Sequence, residues 1–439
     1  MLSTHSAGEP HHYHLCFLCW FLASLLASNS TQAGQGYDLS RLSLEELMNI
    51  EVTLVGRKPE RWMQTAAAVS VITAADLRRW GVRSIPAALR AVPGLHIAVV
   101  DANKWVVTAR GFAGLFANKL LVLIDGRSVY TPLFSGVFWE AQDVVLEDVE
   151  RIEVIRGPGG TLWGANAVNG IINIVTKKAA RTQGTLVQLG GGTKERLFAT
   201  VRHGGQAGEH LHWRAYIKHF KRTRSPAATN RPVRDAWHAY HSGGRLDWSI
   251  SDRDMLSLHA NAYSGKTGQS VSLLTGLEPP YVQDTYGDAD ISGIAAQGRW
   301  ERSYSEQAHF ALQFYYDRAE RRDIVLGGVI HNTDLDFQHR FRWTARQELT
   351  WGLGYRFTTD ELDGISNISF IPSSRDTYLF SAFVHDEIAI IQQHLHLMLG
   401  AKLERNSYTD FETQPNARLW WSPTPRHLLW GAISRAKAA

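Results

Sequence analysis

The chain has 439 residues, of which 44% are apolar and 20% are charged, and its formal net charge is +4. This length allows two or more domains, and the even spread of Lys and Arg argues against nucleic-acid binding, which needs a clustered basic face. Beyond the N-terminus the longest apolar runs, such as Leu120–Ile124 and Ile388–Ile391, are much shorter than the ~20 residues of a membrane-spanning helix. The absence of longer apolar runs argues against a helical membrane protein. It is compatible with a β-barrel, because apolar and polar residues alternate along barrel strands.

Residues 1–33 have the pattern of a secretory signal peptide. The uncharged apolar run Leu15–Leu26 has the length of a signal-peptide core, and the small residues after it offer a cleavage site at Thr31–Ala33. The residues before the run include no Lys or Arg, which departs from the usual pattern. Both cysteines, Cys16 and Cys19, lie inside this run, so the mature chain would carry no thiol, disulfide or cysteine-based zinc site.

Residues 34–60 form a short connecting segment. Ser43–Glu46 has the capping-box pattern that opens a short helix, and the β-prone hexamer Ile50–Val55 follows with no partner strand nearby. The mixed-charge stretch Arg57–Arg61 comes after it. The part before the hexamer is too short for a separate signalling domain.

Residues 61–180 alternate strands with short helices, which predicts a small α+β domain. The predicted order is a strand at Val69–Ile72, a helix opened by the capping box Thr73–Asp76 and closed at Gly81, a helix from Ser84 to Pro93, an apolar strand at Leu120–Ile124 before the turn Asp125–Gly126, and strands at Arg151–Arg156 and Ile171–Val175. The glycine cluster Gly157–Gly160 lies between the last two strands. It lacks the Gly-Lys-Ser/Thr sequence of a phosphate-binding loop, so we interpret it as a turn packed closely against other backbone.

The rest of the chain, residues 181–439, changes to long alternating strands. In one of them Phe310 and Phe314 fall on one face, and His309 and Gln313 fall on the other. This is the apolar-out, polar-in pattern of an outer-membrane barrel. A soluble sandwich would also alternate, so the alternation alone does not decide between them.

The predicted connections between these strands discriminate better, because they alternate in length. The odd-numbered connections are mostly long, at residues 191–194, 222–235, 265–289, 319–330, 360–374 and 407–412, and the even-numbered ones are short, at residues 204–209, 251–253, 304–305, 345–346, 392–393 and 423–426. Outer-membrane barrels sort long extracellular loops from short periplasmic turns in this way. The count reaches about 13 strands by Arg435, an odd set that leaves two open edges, which a bilayer does not tolerate.

Tryptophans and histidines in this region each allow two interpretations. Six tryptophans fit an aromatic girdle, with ordinary core packing as the alternative: Trp213, Trp237, Trp300, Trp343, Trp351 and Trp430. Five histidines have spacings that metal ligands also show, but inward polar lining of a barrel explains them at less cost: His210, His212, His219, His394 and His396.

Five ordered blocks before residue 179 resemble the plug domain of a TonB-dependent outer-membrane receptor. They are VSVITAADLRRWG at 69–81, IPAALRAVPGL at 85–95, ARGF at 109–112, LLVLIDGRSVYTP at 120–132 and DVERIEVIRGPGGTLWGANAVNGIINIVTKK at 148–178. The resemblance implies a plug threaded inside a 22-stranded antiparallel barrel in the bacterial outer membrane. Nine more strands of ~20 residues each would need on the order of 180 further residues, so we expect a truncated receptor.

The resemblance also implies a function. Such a receptor binds a scarce ligand outside the cell and takes it up when a TonB-type periplasmic protein pairs, by strand addition, with a segment placed like Ile50–Val55. The alternative for this segment is the first strand of the plug. An iron–siderophore or haem complex is the first ligand class, followed by cobalamin or another metal chelate. The receptor would contact outer-membrane lipid, act as a monomer, need no cofactor and bind no nucleic acid.

The resemblance further suggests site residues. Arg110, Glu153 and Arg156 lie in the matching blocks and would form charge contacts between plug and barrel. Aromatic residues of two loops would touch the ligand, although they could equally pack on the barrel: Phe112, Phe116, Phe134, Phe138 and Trp139. No nucleophile–base pair that would indicate an enzyme is visible in the sequence. The two rival hypotheses are a passive porin, which the separately patterned plug argues against, and a truncated product that does not transport.

Overall fold

The computed structural model describes residues 51–437 except residues 54–55, 59, 112, 165, 227–232, 275–278, 280, 365–367 and 425–426. Several predicted features lie outside the described residues: the signal peptide, the capping box at residues 43–46, three residues of the β-prone hexamer (Ile50, Leu54 and Val55), and Phe112. Within the described ranges, no helix is long and apolar enough to cross a membrane.

The N-terminal domain, which ends at residue 178, combines short strands with short helices. Its elements are β1 Glu51–Val52, β2 Glu60–Arg61, β3 Val69–Thr73, α1 Ala74–Trp80, α2 Ile85–Leu89, β4 Leu95–Val99, β5 Trp105–Ala109, β6 Leu120–Ile124, β7 Arg127–Ser128, β8 Val149–Arg156, α3 Gly160–Trp163 and β9 Gly170–Thr176. A five-stranded sheet has the order β3-β8-β9-β6-β7, and β1–β2 and β4–β5 form separate two-stranded pairs. The predicted α+β domain is therefore present.

Local hydrogen bonds explain why helix α1 begins and ends where the sequence predicts. The Asp76 backbone amide donates to Thr73 Oγ1 at 3.2 Å, and the Thr73 amide donates to the Asp76 carboxylate at 3.0 Å. These two bonds close the capping box. Gly81 ends the helix in the left-handed region, at φ 60°, a conformation that favours glycine.

Strand β6 is apolar throughout because both of its faces are buried. Val122 packs with Leu89 in the larger of the two apolar clusters, on the side of the sheet that carries the helices. Leu121 packs with Val52 in the second cluster, on the opposite side. A strand covered on both faces has no polar side, which accounts for the unbroken apolar run.

After a 3₁₀ turn at Ala179–Arg181, the chain forms one 13-stranded antiparallel sheet with its strands in chain order. We call it the long sheet. Its strands are β10 Gly184–Gly190, β11 Glu195–Ala207, β12 Leu211–Arg222, β13 Trp237–Ser249, β14 Asp254–Leu274, β15 Val282–Ser305, β16 Ala308–Arg322, β17 Leu326–Thr344, β18 Gln347–Gly364, β19 Ser374–Ile391, β20 Leu395–Asn406, β21 Asp410–Thr424 and β22 His427–Ser434. The predicted number of strands is confirmed.

The strands run further than predicted at one end of the long sheet, which we call the long-loop end. Residues 265–289 were predicted to be a loop, but β14 and β15 stay paired up to Leu274 opposite Val282. β16 and β17 are likewise joined by residues 323–325 alone. The loop predictions were wrong here because an antiparallel ladder satisfies backbone groups even where side chains no longer alternate. The connections 223–236 and 365–373 do remain long, and the opposite, short-turn end carries the brief turns.

One face of the long sheet contacts the N-terminal domain, and we call it the inward face. Gln313 on this face is 5% exposed and donates to the Gly126 carbonyl, whereas its neighbour Phe314 is 48% exposed on the outward face. Polar-in, apolar-out alternation is therefore confirmed for this strand. Trp237 departs from the predicted girdle, because it is 4% exposed and donates its indole N–H to Ala102 of the N-terminal domain.

Candidate functional site between the N-terminal domain and the long sheet

The first described residues form a small hairpin. Glu51 and Val52 pair with Arg61 and Glu60, and Val52 is fully buried. The prediction that the β-prone hexamer has no partner strand is wrong for these two residues. The turn after them brings the charged stretch back alongside, and pairing gives the backbone groups their hydrogen-bond partners.

Lys58 fixes this hairpin to the short-turn end of the long sheet. Its ammonium lies 2.6 Å from a carboxylate oxygen of Glu348 and 2.6 Å from one of Glu387, beside the turns 345–346 and 392–394. Burial alone would lower the pKa of Lys58, but attraction to the carboxylates around it outweighs burial and raises the pKa. The lysine is therefore held in its charged form.

Glu60 is expected to make the hairpin sensitive to pH. Burial raises the pKa of its carboxyl to about 7, although Lys58, whose ammonium lies 3.9 Å away, lowers it in part. Glu387 raises this pKa further and Arg418 lowers it. Because the folded hairpin binds this proton more tightly than the open one, the contribution of Glu60 to stability is present below pH 4.5 and is lost as the pH rises to about 7.

Hydrogen–deuterium exchange measures this expectation at the backbone amide of Thr53, which follows the hairpin strand. The protection factor, referred to an unstructured peptide at each pH, should fall between pH 4.5 and 7. Glu60→Gln keeps the shape of the side chain and cannot ionise, so it should remove this pH dependence. A protection factor that stays constant in the native chain would contradict the prediction.

Glu153 connects the start of the described chain to strand β8. Its carboxylate is 0% exposed and accepts from Arg151 Nε at 2.7 Å and from the Thr53 amide at 3.1 Å. The sequence suggested a contact between this carboxylate and the barrel. The contacts that the structure gives Glu153 lie instead within the N-terminal domain, because alternate residues of β8 point into that domain's own core.

Ion pairs that are buried or half-buried do join the N-terminal domain to the long sheet, but through other residues. The pairs, with the N-terminal-domain residue first, are Arg57–Asp336, Lys58–Glu348, Lys58–Glu387, Arg83–Glu195, Arg127–Asp317, Glu140–Arg321, Asp143–Lys218, Asp148–Arg202 and Asp148–Arg214. They extend from the short-turn end to the long-loop end. The interface is therefore polar and charged, unlike the apolar core of the domain itself.

Asp125, in the turn after β6, links the N-terminal domain to the long sheet. Its carboxylate accepts from the amide and the hydroxyl of Thr176, both at 2.8 Å, and lies 3.4 Å from His259 of β14. Burial alone would raise the pKa of Asp125, but His259, Arg245 and the Thr176 hydrogen bonds together lower it. A charged carboxylate thus ties the turn both to β9 and to the sheet.

Hydrogen bonds hold the tip of the β4–β5 hairpin against the long sheet at the long-loop end. Asn103 is 0% exposed, and its side-chain amide donates to the carbonyls of Asp235 at 2.9 Å and Gly268 at 2.8 Å. The Ala102 amide donates to the Asp235 carboxylate at 2.8 Å, and the Trp237 indole N–H donates to the Ala102 carbonyl at 2.8 Å. Sequence reasoning missed this contact, because a single asparagine in a turn carries no sign of its distant partners.

The glycine cluster packs closely against the long sheet, as the sequence predicts. A Cβ added to Gly160 would collide with the Gln414 amide oxygen, and one added to Gly164 would collide with the Glu404 carboxylate and lie 2.7 Å from Lys402 Nζ. The chain at Gly164 is also left-handed, at φ 82°. Glycine therefore lets helix α3 approach the inward face at this point.

The predicted ligand-contact aromatics divide into two groups. Phe116 is 61% exposed, and it forms edge contacts through Phe134 to Phe138, with ring centroids 5.1 and 5.0 Å apart. The Arg321 guanidinium lies 4.8 Å from the Phe138 ring centroid. Trp139 is 7% exposed and packs in the main core of the domain, so the suggestion that it faces a ligand is corrected.

Arg110 and Arg156 lie away from the ion pairs of the interface. Arg110 is exposed in a left-handed conformation, at φ 59°. Arg156 is half-buried, and its Nε has no hydrogen-bond partner. Neither has an ion pair with the long sheet in the part of the chain that the structure describes.

The histidines are distributed over both faces of the long sheet. His396 faces inward, 3.5 Å from Glu387, and stacks on Trp420. His219 faces outward, where its ring stacks on Tyr240, so inward lining does not explain it. Among the described residues, no group of three or more His, Cys, Asp and Glu is placed to hold a metal ion.

A small α+β domain held by ion pairs on the inward face of a membrane-type antiparallel sheet defines the class of plugged outer-membrane barrels. Residues 62–171 match the TonB-dependent receptor plug domain family. The N-terminal domain is therefore a plug domain of the TonB-dependent receptor type, which is found in proteins of the outer membrane. We call this domain the plug and the long sheet the wall.

Two curated relatives match different shares of the chain. The ferric enterobactin receptor of Pseudomonas aeruginosa is 26% identical over 95% of this chain and 64% of its own length. The vitamin B12 transporter BtuB of Vibrio vulnificus is 29% identical over 37% of this chain and 27% of its own length. The chain therefore spans less than two thirds of the length of these relatives.

Solved structures of receptors share the fold. A mutant of the ferric enterobactin receptor PfeA of P. aeruginosa superposes with a TM-score of 0.66 at 19% identity, covering 85% of this chain and 62% of that one. The siderophore receptor PirA of Acinetobacter baumannii superposes with a TM-score of 0.67 at 17% identity, covering 86% and 62%. Plug and wall thus have the same architecture in all three proteins.

Proposed function

We propose that the chain serves the active uptake of a scarce ligand across the outer membrane, driven by a TonB-type periplasmic protein. The relative that matches nearly the whole chain is a ferric enterobactin receptor, whereas the B12 transporter matches little more than a third of it. An iron–siderophore or haem complex is therefore the ligand class that we put first, with cobalamin behind it.

The observation that carries this proposal is the charged interface between plug and wall. A plug joined to the wall by ion pairs such as Lys58–Glu387 and Asp143–Lys218 can exchange those contacts for water when it is pulled. An apolar interface could not do so without a large hydrophobic cost. A passive pore would have no use for a folded domain against its inner wall.

The segment Ile50–Val55 is the proposed point of coupling. Its described residues lie at the short-turn end, which would face the periplasm, and Thr53 contacts Glu153 on a central strand of the plug. Strand addition by the partner needs free backbone groups. Glu51 and Val52 would therefore have to leave their pairing with β2 before the partner binds, and the pull would reach β8 through Thr53.

Deleting residues 50–55 tests this proposal. Cells that produce the deleted chain should still bind the ferric chelate at their surface but should fail to accumulate it, because only energy transfer is lost. A control chain, in which the six residues are replaced by a Gly-Ser linker of equal length, keeps the spacing and should fail in the same way. Accumulation at the native rate in either variant would refute the coupling role.

A further inference from the structure

Three basic side chains form one row on the outward face of the long sheet, near its long-loop end. Lys221 follows the outward-facing His219 by two residues on β12 and therefore shares its face. Lys221 is paired directly opposite His238 of β13, and His238 directly opposite Lys266 of β14. Residues paired in this way have Cβ atoms about 4.5–5.5 Å apart, and like charges there destabilise a sheet. We call these three residues the basic row.

The strands that carry the basic row supply no counter-charge beside it. The outward positions of β12 and β13, and those of β14 from Leu256 to Leu274, include no acidic residue. In the part of the chain that the structure describes, Lys266 alone of the three has an ion pair, to Asp290 of β15 at 3.2 Å. Lys221 and His238 therefore favour an anion from the surroundings.

A groove of about 570 Å³ opens on the same outward face, further toward the short-turn end. Its rims include the large side chains Trp213 and Phe314. Small residues of three strands form its floor: Gly244, Ala260, Ala296 and Gly298. Because the rims and the floor are apolar, the groove offers its surface to a hydrocarbon chain.

Small side chains along β14 connect the basic row to this groove. The outward residues that follow Lys266 toward the short-turn end are Ser264, Ala262 and Ala260. A larger side chain projects on each side of them and is 53% exposed: Tyr240 is paired with Ser264, and Ile294 is paired with Ala262. We call the line from Lys266 to Ala260 the track.

The length of the track fits one leaflet of a membrane. Lys266 and Ala260 are about 20 Å apart along the strand, at ~3.3 Å per residue. With a strand tilt of ~40° this distance is a depth of ~15 Å, which is half of the ~30 Å hydrocarbon core. An acyl chain whose headgroup lies at the basic row therefore reaches the groove.

We propose that the basic row, the track and the groove together bind a phosphorylated membrane lipid, with its phosphate at Lys221 and His238 and one acyl chain along β14. The two side chains donate to the phosphate oxygens, and the anion removes the repulsion within the row. The charged and the apolar parts of the surface lie along the same strands, as headgroup and chain do in such a lipid. This site lies on the face of the wall opposite the plug, so the inference does not depend on which ligand is taken up.

The test compares two lipids that have identical chains on the full chain in micelles of an uncharged detergent. The probes are dimyristoyl phosphatidic acid, dimyristoyl phosphatidylcholine and inorganic phosphate, and native mass spectrometry of the retained lipid gives each apparent Kd. Phosphatidic acid should bind roughly tenfold more tightly than phosphatidylcholine, because its headgroup carries net negative charge. The difference should shrink as the ammonium acetate concentration is raised. Inorganic phosphate should displace phosphatidic acid only in large excess, since it has no chain.

Lys221→Gln should weaken the binding of phosphatidic acid roughly fivefold and leave phosphatidylcholine unchanged, because one cation near the lipid phosphate is lost. Arg302→Gln is the matched control and should change neither, since Arg302 is an outward cation at the short-turn end, 38% exposed, with its own partner Asp254. Ala260→Phe fills the groove without changing charge and should weaken both lipids several-fold. It gives a second readout if Lys221→Gln folds poorly.

The opposite outcomes would overturn the proposal. Equal binding of the two lipids, or a loss in Lys221→Gln that both lipids share, would show that the basic row does not recognise phosphate. Displacement of phosphatidic acid by an equal concentration of inorganic phosphate would reduce the site to a contact with an anion. If neither lipid is retained and the chain forms dimers that Ala260→Phe separates, the groove is a contact between two copies of the protein. The proposed uptake function stands or falls separately from all of these results.

Discussion

Replacing Asp143 by alanine should loosen the plug from the wall by about 3–5 kcal/mol, because the change leaves a buried charge without its partner. The Asp143 carboxylate lies 2.6 Å from Lys218 Nζ, and the two side chains are 10% and 8% exposed. Lys218 also donates to the Val144 carbonyl at 3.0 Å. That hydrogen bond remains in the variant but does not neutralise the ammonium.

The double variant Asp143→Leu with Lys218→Met should recover most of this loss. Replacing both members of a buried ion pair by apolar residues of similar size is often neutral or stabilising, whereas removing one member is costly. With the single variants Asp143→Leu and Lys218→Met, the double variant forms a double-mutant cycle, whose interaction energy should therefore be large. A small interaction energy would mean that water already screens this part of the interface.

Cysteine labelling measures the opening of the plug directly. The two native cysteines, Cys16 and Cys19, are replaced by serine, and Ser128→Cys places a single thiol at a position that is 6% exposed in the plug. The rate of maleimide labelling then reports the population of the open form. Asp290→Ala is the control, since its ion pair is exposed and should contribute less than about 1 kcal/mol.

The pH dependence of labelling gives a second check. Burial alone would raise the pKa of Asp143, but Lys218 and the other cations around it outweigh burial and lower the pKa. The contribution of the pair is therefore present above the ordinary carboxyl pKa and is lost as the pH falls through the lowered value. The labelling rate of the Ser128→Cys chain is divided at each pH by that of an exposed thiol, because only the thiolate reacts. This ratio should rise in acid, and the double variant should lack the part of the rise that is due to this pair.

The sequence predicts the elements of the plug well where short-range chemistry determines them. The capping box of Thr73 and Asp76, the left-handed Gly81 and the apolar strand Leu120–Ile124 all involve residues a few positions apart. The alternation along each long strand likewise identifies Lys218 as inward-facing. These features need no knowledge of which distant residues meet.

The sequence could not predict the partners of the interface charges, and the reason is physical. Lys218 is inward by alternation, but its pairing with Asp143 depends on how the plug sits against the wall, which no local pattern encodes. Glu153 illustrates the opposite error, since a charge inside a family motif was assigned to the wall while its partners, Arg151 and Thr53, lie in the plug. A motif locates a charge in the chain but does not show which way it points.

The predicted ends of the long strands were wrong for a different reason. Alternation of apolar and polar residues marks only the part of a strand that faces lipid on one side and the plug on the other. Beyond that zone β14 and β15 stay paired up to Leu274 and Val282, where the backbone ladder continues and side-chain contacts such as Ser272 to Asp284 add to it. Side-chain pattern therefore underestimates strand length wherever the backbone pairs in water.

Replacing Gly164 by alanine should destabilise the docked plug by about 2–5 kcal/mol, because backbone strain and a steric collision add. The backbone at Gly164, at φ 82° and ψ −156°, lies in a region that is essentially restricted to glycine. The new methyl group would also collide with the Glu404 carboxylate and approach Lys402 Nζ. These two side chains, 2% and 6% exposed, have little room to move.

Gly81→Ala is a comparison variant that adds left-handed strain without a collision. Gly81 is also left-handed, at φ 60°, but a Cβ there would meet nothing within 4 Å, so its cost should be about 1–2 kcal/mol. In the Ser128→Cys labelling assay, Gly164→Ala should increase plug opening well beyond Gly81→Ala. Equal effects of the two alanine variants would show that helix α3 does not need its close approach to the wall.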